Sequence, residues 1–385
     1  MRFAFTIISI FLFATLSAQG VDSLFVPVPE VSVTTQMKQR GLVEHTVAKT
    51  EIFMYDAERE SIDDMRSVSA YAPNFYVPDY GSRMTSSIYM RGMGGRIDQP
   101  AVGLYVDDAP MLNKNTFDFD VLDLRSVKLL RGPQSTLYGR NTMAGVMDVH
   151  TLSPFSYSGT RLAAEYGTAN LLKIRASHYA LVKADLGVSV GGYFRHTDGM
   201  FSNEYDGERL DWEHGGGGRA KVEWRDGALS LSNTLSADAV NQGGWPYQLV
   251  EANGDKQPTN YNDPSNYTRL SLSDALRVAY EGDNYMVTSV TSWTYLDDCM
   301  TLDQDFTPRS MFTLQQAQKE HTLTEEVIVK YDPTQRYSAR FGAFGFYKHL
   351  NMAAPVRFKR DGIDELILAN ANKGIQQMFP DHAIE

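Results

Sequence analysis

The sequence predicts a small α+β domain followed by an all-β antiparallel domain of the transmembrane-barrel type. Three observations carry this. Up to about residue 153, short apolar strands are broken by dense turn chemistry, most tightly in Leu129-Leu130-Arg131-Gly132-Pro133 and Tyr138-Gly139-Arg140-Asn141. Beyond Pro154, apolar and polar residues alternate with a period of two. After the N-terminus, no apolar run reaches the length of a membrane helix. The composition agrees: 43% hydrophobic, 22% charged, with 30 glycines, 21 tyrosines and 19 phenylalanines. Lipid-facing and lumen-facing residues cancel in such an average.

The first 20 residues read as a secretory signal peptide. Arg2 precedes an apolar segment from Phe3 to Leu16, and small residues (Ser17, Ala18, Gly20) offer cleavage after Ala18 or Gly20. Residues 21–39 form an extended stretch interrupted by Pro27 and Pro29, which excludes helix. Residues 40–153 make up the α+β domain. Its first clear helix is expected to open at Ser61, with Asp64 in capping-box position, an apolar stripe of Ile62, Met65 and Val68, and a stop at Pro73. Asn74 suits the left-handed conformation beyond that stop. Strands are expected at Ile88–Met90, Val102–Val106, Val127–Leu130 and Val146–Leu152.

Residues 154–385 carry the alternation. Leu186, Val188, Val190 and Phe194 share one face, with Ser189, Tyr193 and Arg195 on the other; Ala220, Val222 and Trp224 alternate with Lys221, Glu223 and Arg225. Roughly nine such strands fit between Arg161 and Lys348, an odd number where single-chain bacterial barrels are even. Long polar loops are expected at Asp198–His214, Val240–Arg269 and Asp297–Gln318. Tight turns are expected at Ala169-Asn170, Asp226-Gly227 and Asp283-Asn284. Residues 351–385 read as a loop with a short helix near Ile363 to Leu368 and no closing strand. An open sheet edge is costly in hydrocarbon, so the chain reads as a fragment or a truncated reading frame.

Four motifs in order resemble the TonB-dependent outer-membrane receptors. They are Ser87-Ile88-Tyr89-Met90-Arg91-Gly92, Leu104-Tyr105-Val106-Asp107-Asp108-Ala109-Pro110, Asp123 through Arg131-Gly132-Pro133, and Leu137-Tyr138-Gly139-Arg140-Asn141 running to Gly145. Asp108 and Lys128 depart from the family pattern, as does His150. The resemblance implies a plug domain seated in a barrel of about 22 strands, localised in the outer membrane of a Gram-negative cell and surrounded by its lipid. It implies a transport receptor that takes up a scarce ligand, ferric siderophore being the leading class, by energised displacement of the plug. The partner implied is TonB, with its inner-membrane proton-driven complex, pairing as an added strand with a TonB box. Asp22-Ser23-Leu24-Phe25-Val26 is the candidate box; Glu30 to Thr34 competes. Arg91 and Arg131 are candidates for plug–barrel ion pairs with inward-facing Glu326. Trp245, Tyr247 and Tyr261, with Tyr193 and Tyr267, are candidates for a ligand-stacking vestibule. The alternative function is a non-transporting plug and partial barrel serving as a surface or periplasmic interaction protein.

Other chemistry is not written in the chain. The net charge of −11 argues against nucleic acid. The single cysteine, Cys299, excludes an intramolecular disulfide and a multi-cysteine zinc site. Gly92–Gly95 and Gly215–Gly218 lack the context of a phosphate loop, and no nucleophile elbow or metal-ligand histidine spacing is present. No enzyme, cofactor or metal site is expected. Asp118/Asp120, Asp297/Asp298 and Asp303/Asp305 read as solvated loop acids, with calcium as their functional alternative.

Overall fold

The computed structural model describes residues 48–378, apart from 61, 63, 79–80, 82–86, 96–99, 118–122 and 335–336. The signal peptide, the 21–39 extension with its candidate TonB box, Ser61 and Asp118/Asp120 lie outside the described residues.

The plug is built on a five-stranded mixed sheet in the order β1-β7-β8-β5-β6. These strands are β1 (Ala48–Phe53), β5 (Val102–Val106), β6 (Ala109–Met111), β7 (Leu124–Arg131) and β8 (Gly145–Thr151). A smaller sheet joins β2 (Phe75–Tyr76), β3 (Tyr89–Met90) and β4 (Met93–Gly94). Strand β5 pairs in parallel with β8 and is buried along its whole length, which is why Val102-Gly103-Leu104-Tyr105-Val106 is a continuous apolar run. One cluster of Val102, Leu104, Val127, Leu129, Met147 and Met90 forms the plug core.

The helical part of the plug differs from expectation. A helix α1 (Met54–Arg59) leads, and the expected helix is a single turn, α2 (Met65–Val68), capped by Asp64 rather than Ser61. The Ile62 amide donates to Ala57 O at 2.8 Å, which ties that segment back to α1. Asp64 then accepts from the Ser67 amide at 2.7 Å and closes a capping box with Ser67. Met65 and Val68 are buried as the stripe required, and Asn74 is left-handed at φ 58°.

Among the described residues, nine long antiparallel strands follow in sequence order: β9 (Gly159–Tyr166), β10 (Leu172–Lys183), β11 (Leu186–Thr197), β12 (Glu213–Asp226), β13 (Leu229–Gly243), β14 (Asn266–Glu281), β15 (Tyr285–Asp303), β16 (Phe312–Thr334) and β17 (Tyr337–Ala353). A short β18 (Val356–Phe358) adds to β16. Lengths grow from 8 to 23 residues, so several strands extend past any lipid band. Strands β13 to β16 run further than the alternation suggested, shrinking the loops to 244–265 and 304–311.

The turn at Ala169-Asn170 is also placed differently. It joins β9 to β10, at the same end as the long loops, where Asn170 Nδ2 donates to Asp198 Oδ2 at 2.7 Å. The tail is more helical than expected: Arg360–Gly362, a π-helical Ile363–Leu368 and Ala369–Met378 run on without a break.

Candidate functional site at the plug and barrel wall

The inner faces of β10 to β17 meet the plug through discrete polar contacts, and the plug's turns make most of them. The β5–β6 hairpin turns on Asp107 and Asp108, both with positive φ (49° and 69°). A two-residue turn of this kind matches the strand twist but favours Asn-Gly. Two acids held there instead present both carboxylates to the wall. Lys221 Nζ lies 3.0 Å from Asp107 Oδ2, and Arg277 Nε donates to Asp108 Oδ2 at 2.9 Å. Thr151 links the first pair: its amide and hydroxyl donate to Asp107 at 2.8 and 2.6 Å, while the hydroxyl accepts from Lys221 at 2.7 Å.

Burial alone would raise the Asp107 pKa. The charges of Lys221 and Arg219 and the two Thr151 hydrogen bonds outweigh it and hold the carboxyl below the usual carboxylate range. A depressed folded-state pKa contributes stability that is fully present above the unfolded value of about 3.9 and is lost only as pH falls through the folded one. The plug is therefore expected to stay latched throughout the mildly acidic range. Hydrogen exchange at the Thr151 amide as a function of pH checks this, and release at pH 5 would contradict it.

A second set of contacts holds the segment after β6. Asn113 Nδ2 donates to Glu320 Oε2 at 2.5 Å, and Asn115 Nδ2 donates to Asp298 Oδ2 at 2.8 Å. Arg269, almost wholly buried, donates to Asn115 O at 2.7 Å and pairs with Asp238 at 2.5 Å. Asp298 and Asp303 are thus not solvated loop acids. Both lie within β15, Asp303 as its last residue, with 1% and 0% exposure, and Asp298 also accepts from Tyr267 and Gln318. No group of three or more side chains suited to a metal ion occurs among the described residues.

The Arg-Gly-Pro loop is rigid in its own right. The Gly132 amide donates to Ala144 O at 2.9 Å and the Gln134 amide to Thr142 O at 3.0 Å. Gly132, Gly139 and Asn141 all have positive φ, while Pro133 is exposed. Tyr138 packs edge-on to Tyr105, whose hydroxyl donates to the Tyr138 carbonyl. Arg140 stacks over Phe346 of β17 at 4.6 Å, which docks this loop on the barrel.

The candidate ion pairs are not formed. Arg131 donates to Thr50 Oγ1 and, at 3.3 Å, to Lys49 O, both within the plug. Arg91 turns at φ 53° and leans toward Gly132. Among the described residues neither arginine pairs with Glu326. That residue does face the lumen, but the charges acting on it are those of Asp108 and Arg340. Alternation fixed its face and said nothing about its partner.

The candidate vestibule is also rearranged. Trp245 and Tyr261 are 1% exposed and Tyr267 is 0% exposed. Trp245 and Tyr267 pack with Met300 and Leu302 as the loop's own core. The Trp245 amide donates to Gly81 O at 2.9 Å, so this loop rests on the plug. Of the three, Tyr247 alone stays open, tilted against Phe306 at 4.9 Å. Tyr193 instead donates to Asp238 on the lumen side.

A mixed-sheet plug held by its turns against an antiparallel wall has known counterparts. The profile of the TonB-dependent Receptor Plug Domain matches residues 42–146. Residues 42–146 are thus a TonB-dependent receptor plug domain. The chain is 33% identical over 128 residues to the pesticin receptor of Yersinia pestis, covering 32% of the chain and 19% of that protein. It is 32% identical over 129 residues to the pesticin receptor of Yersinia enterocolitica, covering 33% and 19%. Its fold matches the ferric yersiniabactin uptake receptor FyuA from Yersinia pestis with a TM-score of 0.71 at 19% identity, over 82% of this chain and 50% of that one. It also matches the outer-membrane ferripyoverdine receptor of Pseudomonas aeruginosa with a TM-score of 0.67 at 10% identity, over 83% and 46%. The chain thus spans about half the length of these solved structures, and its match covers about a fifth of the curated relatives. The family comprises transporters and receptors rather than enzymes.

Proposed function

We propose that this chain supplies the plug and part of the barrel of an outer-membrane importer for a ferric siderophore, energised by TonB. The observation that carries the reading is the way the plug is held. Individual ion pairs and hydrogen bonds, from the Asp107-Asp108 turn and the Asn113–Asn115 segment and also from Asp64, Asp123 and Arg140, fasten it to the wall, a set that can be broken stepwise by force applied to the chain preceding β1. Buried apolar packing stays within the plug itself. The siderophore class is supported by the relatives: the FyuA structure is of a ferric yersiniabactin uptake receptor, and the pyoverdine receptor was solved with its ferric siderophore. In this reading residues 1–20 export the chain to the outer membrane, and Asp22 to Val26 form the TonB box that pairs with TonB as an added strand.

Deleting Asp22 to Val26 from the full receptor tests the assignment. Energised uptake of radiolabelled ferric yersiniabactin is expected to fall to the level of cells lacking the gene, while binding at the cell surface is unchanged. Normal uptake after the deletion would exclude this segment as the box.

A further inference from the structure

Where β11 and β12 run out into the 198–212 loop, two histidines stand side by side on the outward face of the wall. Arg195 and Glu213 face the lumen, Arg195 lying 3.8 Å from Asp64 of the plug and 3.5 Å from Glu213. Alternation therefore turns their neighbours His196 and His214 outward, directly opposite each other in the β11–β12 register. His196 Nδ1 lies 3.0 Å from His214 Nδ1 while the ring centroids are 4.7 Å apart, so the rings come closest at these two nitrogens.

The surroundings fix which nitrogens are bare. Asp198 Oδ1, 3.1 Å from His196 Nε2, takes the N–H of that nitrogen and leaves Nδ1 of the same ring as a lone pair. Asn170 Nδ2 donates to the other Asp198 oxygen at 2.7 Å, and the Asp198 amide donates to Ala169 O at 2.8 Å, so the carboxylate is itself held. An anchored carboxylate behind an imidazole is the usual outer support of a metal-ligating histidine. Cross-strand placement alone does not produce this. His321 and His349 also stand opposite each other, on β16 and β17. There His321 lies against Tyr295 at 4.8 Å, and His349 Nε2 is 3.3 Å from Asn351 Nδ2.

We propose that His196 and His214 form a two-nitrogen site for a divalent transition cation, with Cu(II) preferred, on the outer rim of the wall. Nitrogens 3.0 Å apart, each roughly 2.0–2.1 Å from an ion, subtend an angle of about 94°. That is close to the right angle of tetragonal Cu(II) and Ni(II) sites and well short of the tetrahedral angle of zinc. A turn about the soft Cβ–Cγ torsions brings both lone pairs onto one ion. His214 binds as the tautomer with its proton on Nε2. Water completes the shell, since among the described residues no third histidine, cysteine or carboxylate joins the group as a ligand. Calcium and magnesium, which take oxygen ligands, are excluded. The ion ties β11 to β12 at the base of the 198–212 loop. The site faces away from the lumen and does not depend on the importer reading.

The test is a copper titration of the full receptor, purified in detergent and stripped with EDTA, read by electron paramagnetic resonance. The parent is expected to bind one more Cu(II), with superhyperfine structure from two nitrogens, than the double variant His196→Gln with His214→Gln. Asp198→Asn, which removes no ligand nitrogen, is expected to weaken that ion by about 10–100-fold. His321→Gln is expected to change nothing. Zn(II) is expected to bind at least ~10-fold more weakly than Cu(II). Equal copper content in the parent and the double variant, or Zn(II) bound more tightly than Cu(II), overturns the site. If the double variant does not fold, Asp198→Asn decides: unchanged copper affinity in that variant overturns the site.

Discussion

Replacing Lys221 with methionine is expected to weaken the docking of the plug by about 3–5 kcal/mol, the usual cost of stranding one member of a buried ion pair. The ammonium group is 6% exposed and serves three acceptors: Asp107 at 3.0 Å, Thr151 at 2.7 Å and Glu223 at 3.9 Å. Glu223 keeps Arg225 at 3.1 Å and Ser153 at 2.7 Å, so the loss falls on Asp107. Arg219 also acts on that carboxylate and limits the damage toward the lower end of the range. Hydrogen exchange of Asp107 through Thr151 in increasing urea measures the effect as a shifted opening transition. The double variant Asp107→Asn with Lys221→Met removes both charges and is expected to recover most of the loss. A single variant within about 0.5 kcal/mol of the parent would show that the pair does not latch the plug.

That latch shows where sequence reading stops. The faces were legible: period-two alternation puts Lys221 and Glu326 on the lumen side, and both are there. Turn chemistry was legible too, since Asn74 and Asn141 take the positive φ their side chains tolerate. Partner choice was not legible, because it depends on how far the plug is rotated against the wall. Asp107 meets a residue 114 positions later (221 − 107), and no local pattern encodes that. A signal did exist in Asp107-Asp108. Two acids at positive φ in a turn that prefers Asn-Gly are a local conflict, and such conflicts concentrate at functional positions. The aromatic loop misled for a different reason. Trp245 and Tyr261 are as suited to stacking on a ligand as to sealing a loop core, and only the extra length of β14 and β15 brings Tyr267 and Met300 beneath them. The helix start at Asp64 turned on one hydrogen bond, the Ile62 amide to Ala57, that no capping rule anticipates.

The other large effect is expected at Gly145, where the plug has no room for a side chain. Strand β8 begins here at φ 157°, opposite Arg131 of β7 and Val102 of β5. A Cβ at this position would lie 2.1 Å from Met90 Sδ and 2.3 Å from the Leu130 carbonyl oxygen. The methionine is flexible, but it is wholly buried in the core and has little space to retreat into. The carbonyl belongs to the backbone of the neighbouring β7 and moves only if the β7–β8 pairing opens. Overpacking of this kind costs about 1–3 kcal/mol, occasionally more, and the backbone conformation adds about 1–2 kcal/mol for a residue with a side chain. Gly145→Ala is therefore expected to lower plug stability by roughly 3 kcal/mol or more, read as a lower urea midpoint for exposure of the plug to protease. Two companions separate the causes. Gly92→Ala sits at φ 78° with nothing within 4 Å of its Cβ, so it carries the backbone term alone and is expected to cost only about 1–2 kcal/mol. Adding Met90→Ala to Gly145→Ala clears the sulfur and leaves the carbonyl clash, so the double variant is expected to remain as unstable as the single. Recovery in that double variant would place the strain in the core side chain and not in the sheet.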